Sequence, residues 1–243
     1  NKFLAKIASD LDKPRGFAVI GAAEALDFLA DKPVSLIYGV GPAFAKTLAK
    51  DDFKTIKDLR RADPKMLAAR YGEMGLRLAR LANGEDARPV DPSGPRKSIS
   101  SETTFETDLH RLDALEAVLW RLCVTITDRA KAQGLAGGVV TLKLKTADHK
   151  TRTRRRTLPA PSQLADAVHA EARALLAAEA DGTRFRLIGA GLSSLVGAGG
   201  DAGDLLDPGA LRRAAAERAV DKARARFGKD AVGKGRGRLP PKE

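Results

Sequence analysis

The sequence predicts an α+β protein of more than one domain: a helical unit first, then a β-α-β-β-α-β unit. Three observations carry this. Apolar residues recur at three and four through much of residues 1–92, the spacing of helices with one buried stripe. Residues 85–97 then lose all periodicity and gather Pro89, Pro92, Gly94 and Pro95 among charges, which reads as a linker. Beyond it, strict alternation appears. Val140, Leu142 and Leu144 fall on one face, and Thr141, Lys143 and Lys145 on the other, as in a half-buried strand.

Taken in order, Phe3, Leu4, Ile7 and Leu11 predict a first helix, ended by Pro14 and Gly16. Phe17–Ile20 has strand character, and Glu24–Leu29 is a second short helix. Residues 34–92 form an all-helical unit. A glycine turn leads into a helix over Ala43–Ala49, another helix carries Phe53, Ile56 and Leu59, and Asp63-Pro64 opens the next. A Pro at the first helical position after an Asp cap is a common start. Ser98–Phe105 suits a strand, and Leu112, Leu115, Leu119, Leu122 and Ile126 mark an amphipathic helix. Val139–Lys145 and Thr151–Leu158 make a hairpin through a turn at Ala147–Lys150, and Pro159–Pro161 closes it. Leu164, Val168 and Leu175 give another helix, and Arg184–Gly189 a last strand. That order folds most simply as a four-stranded antiparallel sheet with two helices on one face. A helix over Pro208–Phe227 and a mobile Gly/Lys/Arg tail follow. No internal repeat is visible.

The 243 residues carry 43 Lys and Arg against 31 Asp and Glu, a net charge of +12. Such a balance favours a polyanionic partner. No apolar run reaches the roughly 18 residues of a membrane span, and Asn1–Asp10 lacks the apolar core of a signal peptide. One cysteine, Cys123, excludes an internal disulfide and fits a reducing, intracellular setting. His110, His149 and His169 have no metal-ligand spacing. Asp10 and Asp12, two apart on a helix, point in different directions and read as solvent-facing. The chain starts Asn-Lys-Phe-Leu-Ala-Lys, not Met, so it is expected to begin inside a longer protein.

Two motifs could carry function. Ile37-Tyr38-Gly39-Val40-Gly41-Pro42-Ala43-Phe44-Ala45-Lys46-Thr47-Leu48 matches a helix-hairpin-helix turn. Two glycines let the backbone turn sharply and approach a partner closely. Free N–H groups at the next helix start would face a phosphate, and Lys46 adds a charge one turn on. The alternative is an ordinary αα-turn with Gly41 as a helix stop. The second motif is Lys150–Thr157. Period two puts Lys150, Arg152, Arg154 and Arg156 on one face, where they repel one another unless a counter-charge such as a DNA backbone is present. The alternative is a solvated edge strand that uses charge against aggregation. Lys143 and Lys145 join this footprint if both sets share a side of the sheet, which the sequence leaves open. Aromatic residues do not cluster in the basic strands, so stacking on single strands is disfavoured. Trp120 and Cys123 read as core residues.

In order, these pieces resemble the Y-family translesion DNA polymerases, DNA polymerase IV type. Asn1–Asp10 with Asp12–Gly16 resembles the end of the palm domain, and Pro33–Gly41 the thumb. Arg96–Phe105 and Arg186–Ser193 resemble the first and last strands of the little finger. Ala219–Phe227 resembles the basic C-terminal helix of alphaproteobacterial members. The implied domains are a palm remnant at 1–32, a helical thumb at 33–88, a linker at 89–97, a little finger at 98–195, and a C-terminal helix and basic tail at 196–243.

The resemblance implies nucleotidyl transfer past damaged bases, with two Mg²⁺ held by carboxylates that precede the Asn-Lys motif in the family. Those carboxylates are expected to be missing here, so no residue of this chain is expected to be catalytic or to ligate metal, and the chain is expected not to polymerise alone. Lys2 would contact the triphosphate of an incoming dNTP. Gly39, Val40, Gly41 and Lys46 would hold a backbone phosphate, and Lys97, Ser98, Lys143, Lys145, Arg152, Arg154 and Arg156 would track a primer–template duplex. A sliding clamp is a family partner, but no clamp peptide is evident, and Asp204-Leu205-Leu206-Asp207 is at best a degenerate version. A cytoplasmic, nucleoid-associated monomer is the expected setting.

Overall fold

α1 (Lys2–Leu11) starts where Asn1 can cap it: the Asn1 side chain accepts from the Leu4 N–H at 3.0 Å. The structure is a computed structural model that describes residues 1–199, 209–228, 231–233 and 235–237. The clamp-like Asp204–Asp207 and the terminal residues 238–243 lie outside the described residues. The chain divides into two units, Asn1–Gly94 and Pro95–Glu243.

In the first unit α2 (Ala25–Ala30), α3 (Pro42–Lys50), α4 (Ile56–Arg61), α5 (Pro64–Tyr71) and α6 (Glu73–Ala82) follow α1. Thr55 and Asp58 form a capping box at the start of α4, and Asp63 caps α5 ahead of Pro64. Phe3 and Ile7 of α1 join Leu29, Val34, Ile37, Leu48, Leu59 and Leu78 in one buried cluster. Residues 1–32 and 33–88 thus share a core. The expected strand at Phe17–Ile20 is irregular instead, with Phe17 and Val19 90% and 71% exposed. Four apolar residues with no neighbouring strand cannot satisfy their backbone as sheet.

The second unit begins with β1 (Ser98–Leu109), α7 (Leu112–Lys131), β2 (Leu135–Thr146) and β3 (Thr151–Ser162). α8 (Ala165–Ala177), β4 (Phe185–Gly197) and α9 (Ala210–Phe227) complete it. The sheet has the order β1-β4-β2-β3, antiparallel throughout. α7 and α8 cover one face. Leu115, Leu119, Cys123 and Ile126 of α7 and Val168, Ala172 and Leu176 of α8 meet Val140, Leu142, Leu144, Ile188 and Leu192 of the sheet.

All four strands run longer than expected, β1 to Leu109 and β2 from Leu135 to Thr146 among them. β3 continues through Pro159 and Pro161 because it is an edge, where a missing N–H costs no ladder bond, and because the β2–β3 register shifts between Gly137 and Val139. β4 continues from Gly189 to Gly197 because it is central and pairs on both sides.

α9 is held on the helix layer by charge. Ala214, Glu217 and Asp221 lie on one face, and Ala214 and Glu217 are buried. Glu217 accepts from Lys131 Nζ at 2.7 Å and from the N–H groups of Ala165 and Asp166 at 2.8 and 3.3 Å. It thereby caps α8, whose own N-cap Leu164 offers no side-chain bond. Asp221 accepts from the same lysine at 2.6 Å. Burial disfavours the Lys131 ammonium, but Asp221 and Glu217 outweigh it and raise its pKa.

Cys123 is fully buried, and burial pushes its thiol up to about 12. Because the thiolate is the reactive form, native protein at neutral pH is expected to resist a thiol-titrating disulfide reagent, whereas guanidinium-unfolded protein reacts fully. Fast reaction in native buffer would show that α7 does not seal this position.

Candidate nucleic-acid interface

The glycine turn is built from the core outward. Ile37 and Val40 are buried, which pins both ends of the bend. Between them Gly39 adopts φ +105°, in a region that excludes ordinary side chains, and the Val40 N–H closes on the Ile37 carbonyl at 2.9 Å. A single 3₁₀ turn, Val34–Leu36, precedes the bend and α3 follows it. Gly41 is the N-cap of α3 and gives no side-chain bond, with Pro42 at the first position. The helix start therefore presents backbone N–H groups rather than a capping oxygen. Lys46 is exposed one turn on. From α6, Arg77 Nη2 donates to the Tyr38 carbonyl at 3.3 Å, and its buried Nε has no hydrogen-bond partner. The sequence offered no signal for this guanidinium under the turn, because it sits at an ordinary helical position.

Lys2 projects from the first turn of α1, where its Nζ donates to the Pro89 carbonyl at 2.8 Å. Asp10 is paired with Lys6 at 2.9 Å and with Lys13. Lys13 first, then Lys6, hold its carboxyl down to about 2. Among the described residues no group of three or more His, Cys, Asp or Glu could hold a metal ion. These residues therefore do not fit a two-Mg²⁺ centre.

The sheet register decides which cations share a face. Lys143 stands opposite Thr153 and Gly189, and Lys145 opposite Thr151 and Leu187. Arg152, Arg154 and Arg156 stand opposite Leu144, Leu142 and Val140, which are core residues. The two basic sets are therefore on opposite sides. The three arginines turn toward the helix layer. Arg152 and Arg154 reach Glu179 at 3.2 and 2.6 Å, and Arg156 reaches Glu171 of α8 at 3.0 Å. Lys150 lies in the turn before β3 and pairs with Asp148 at 2.8 Å.

The face away from the helices carries many small residues. Ser98 and Ser100 of β1, Gly189, Gly191 and Ser193 of β4, Thr141 of β2, and Thr151, Thr153 and Thr157 of β3 all fall on it by register. Lys143, Lys145 and Arg155 rise from it, and exposed Lys97 stands just before β1. Gly189 lets Lys143 reach across β4 to Glu102 of β1 at 2.7 Å. A Cβ on Gly189 would come within 2.9 Å of the Glu102 Cβ. Arg155 Nη2 donates to Ser193 Oγ at 3.3 Å. Arg155 is the cation that the alternation of Lys150–Thr157 passes over, and only the register reveals that it belongs with Lys143 and Lys145. The surface thus offers hydroxyls, backbone and long-stemmed cations, with no aromatic ring among the residues named, which suits phosphates better than bases.

Residues 96–205 match the impB/mucB/samB family C-terminal domain. The DNA polymerase IV of Caulobacter vibrioides is 52% identical over 97% of this chain and 59% of that protein. DNA polymerase IV 1 of Mesorhizobium japonicum is 51% identical over 99% of this chain and 56% of its own length. The Brucella melitensis DNA polymerase IV is 51% identical over 95% and 52%. The chain therefore spans a little over half the length of these relatives. Among solved structures, the Y-family DNA polymerase chimera Dbh-Dpo4-Dbh covers 81% of the chain at TM-score 0.57 and 23% identity, a likeness of fold. The α+β architecture with one four-stranded antiparallel sheet is that of the matching region of these polymerases. Over residues 96–205 the chain carries the C-terminal domain of the Y-family DNA polymerases, joined to a helical unit that its DNA polymerase IV relatives share.

Proposed function

We propose that this chain grips primer–template duplex DNA through its phosphates, as the DNA-holding part of an error-prone translesion polymerase of the DNA polymerase IV type. One observation carries the reading. The open sheet face combines Lys143, Lys145 and Arg155 with a lawn of Ser, Thr and Gly, so cations can follow a phosphate backbone without steric obstruction. The glycine turn supports it. In this reading Gly39 to Gly41 with Lys46 form a helix-hairpin-helix contact to one phosphate, and Arg77 stiffens the turn from below. Residues 33–88 act as the thumb and 98–195 as the little finger, joined by a linker at 89–97. Residues 1–32 are the end of the palm, and 196–243 the C-terminal helix and tail. Lys97 and Ser98 flank the duplex at the start of β1, and Lys2 leaves Pro89 to meet a dNTP triphosphate in the whole enzyme. Arg152, Arg154 and Arg156 serve mainly to fasten β3 to α8 and to the turn that follows it. The two Mg²⁺ ions of the reaction find no fitting ligands among the described residues, and we assign no catalytic residue to this chain. A stand-alone DNA-binding protein is the second reading. Both share the same grip, and a primer-extension assay of the chain separates them from an active polymerase.

The test is equilibrium binding to a primer–template duplex, single-stranded DNA and RNA at two salt concentrations. With about six phosphates neutralised, duplex affinity should fall by roughly three decades between 50 and 200 mM salt. Salt-insensitive binding, or tighter binding to single strands, would refute the phosphate grip.

A further inference from the structure

The helix side of the second unit carries an arginine site that the DNA grip does not use. Trp120 of α7 and His169 of α8 meet edge to face, with ring centres 5.2 Å apart. The guanidinium of Arg236 lies 5.6 Å from the Trp120 ring centre, and its Nη1 donates to Asp166 Oδ1 at 3.1 Å. The next residue also fits closely: a Cβ on Gly237 would come 3.1 Å from Trp120 Cδ1. Trp120 and His169 are each only 4% exposed, so this contact belongs to the packed surface of the helices and not to a passing side chain. His169 Nε2 is buried with no hydrogen-bond partner. Burial, and then the nearby Arg236, push the imidazole pKa down, which keeps a neutral ring beside the cation.

An aromatic face, a carboxylate and small flanking residues are what a guanidinium needs. The ring attracts the cation, the carboxylate fixes its direction, and a glycine on either side lets the backbone come close. We propose that Trp120, Asp166 and His169 form an arginine-binding site whose occupant is the chain's own Gly235-Arg236-Gly237. The site is a latch. It holds residues 235–237 against α7 and α8, on the opposite side of the sheet from Lys143, Lys145 and Arg155. The charge of Arg236 is thereby kept off the open face while the latch is closed. Glycine-flanked arginine gives a weak, reversible closure, because the flanks lose much backbone freedom on docking.

Trp120 is the sole tryptophan of the chain, so its emission reports the site directly. Acrylamide quenching of the full chain is compared with that of R236A, with circular dichroism checking that both are folded. R236A should show a higher quenching constant and red-shifted emission. Acetyl-Gly-Arg-Gly-amide, added in excess to R236A, should saturably reverse both changes, and D166N should require more of it. Unchanged quenching in R236A, or no reversal by the peptide, would overturn the proposal.

Discussion

A K143A/K145A/R155A variant is expected to lose about tenfold to a hundredfold in duplex affinity at moderate salt, and to lower the salt slope by roughly 2.7, since each phosphate contact contributes about 0.9. The three positions lie on one face of β2 and β3 by register, and alanine at an exposed strand position leaves the core intact. Lys143 must exchange its 2.7 Å contact with Glu102 for a phosphate. An exposed pair of this kind contributes little in the free protein, so the exchange costs little. The comparison is R152A/R154A/R156A, which removes the same amount of charge from the other side. That variant is expected to keep nearly the parent slope but unfold at lower denaturant, because Glu171 and the nearly buried Glu179 lose their partners. Fluorescence anisotropy over a salt series, with urea unfolding of each variant, separates the two effects. If the arginine triple flattens the slope and the open-face triple does not, the duplex lies along the edge of β3 and the proposed face is wrong.

The same contrast shows what a sequence can and cannot carry. Val140, Leu142 and Leu144 announce a strand by period two, and that period also groups Arg152, Arg154 and Arg156. Periodicity groups residues into faces but does not say which face meets the helices. That choice is made by the pairing of Arg154 with Leu142, a long-range fact. The glycine turn was legible because its geometry is local: Gly39 needs its positive φ whatever surrounds it. Arg77 was not legible, because its value lies in the Tyr38 carbonyl that tertiary packing brings to it. Phe17–Ile20 misleads for the converse reason, since β character without a partner strand yields irregular chain, with Phe17 and Val19 exposed and Ile20 half-buried on the core. Trp120 reads as packing from its helical spacing, and it does pack. Its contact with Arg236 comes from a segment with no apolar pattern at all.

α9 is the case where charge replaces the usual hydrophobic stripe, and it yields the largest stability effect. E217A removes a buried carboxylate that holds Lys131 and two N–H groups of α8 at once. Breaking a buried ion pair costs roughly 3–5 kcal/mol and losing a helix cap about 1 kcal/mol. Because Lys131 keeps Asp221, about 2–4 kcal/mol is expected in all. E217Q keeps one acceptor oxygen for the Ala165 N–H and gives up the charge and the longer bond from the Asp166 N–H, so its loss should be the smaller. Guanidinium unfolding followed by far-UV circular dichroism measures both. The structure also fixes where the loss should appear. Hydrogen exchange in E217A should accelerate in α9 and in the first turn of α8 before it does in β2 or β4, because the core beneath them does not involve Glu217. Equal acceleration throughout the sheet would mean that α9 is part of the folding core and not a helix fastened to it by charge. No change in either region would mean that the buried carboxylate is replaced at no cost by water, and that Lys131 and Asp221 hold α9 by themselves.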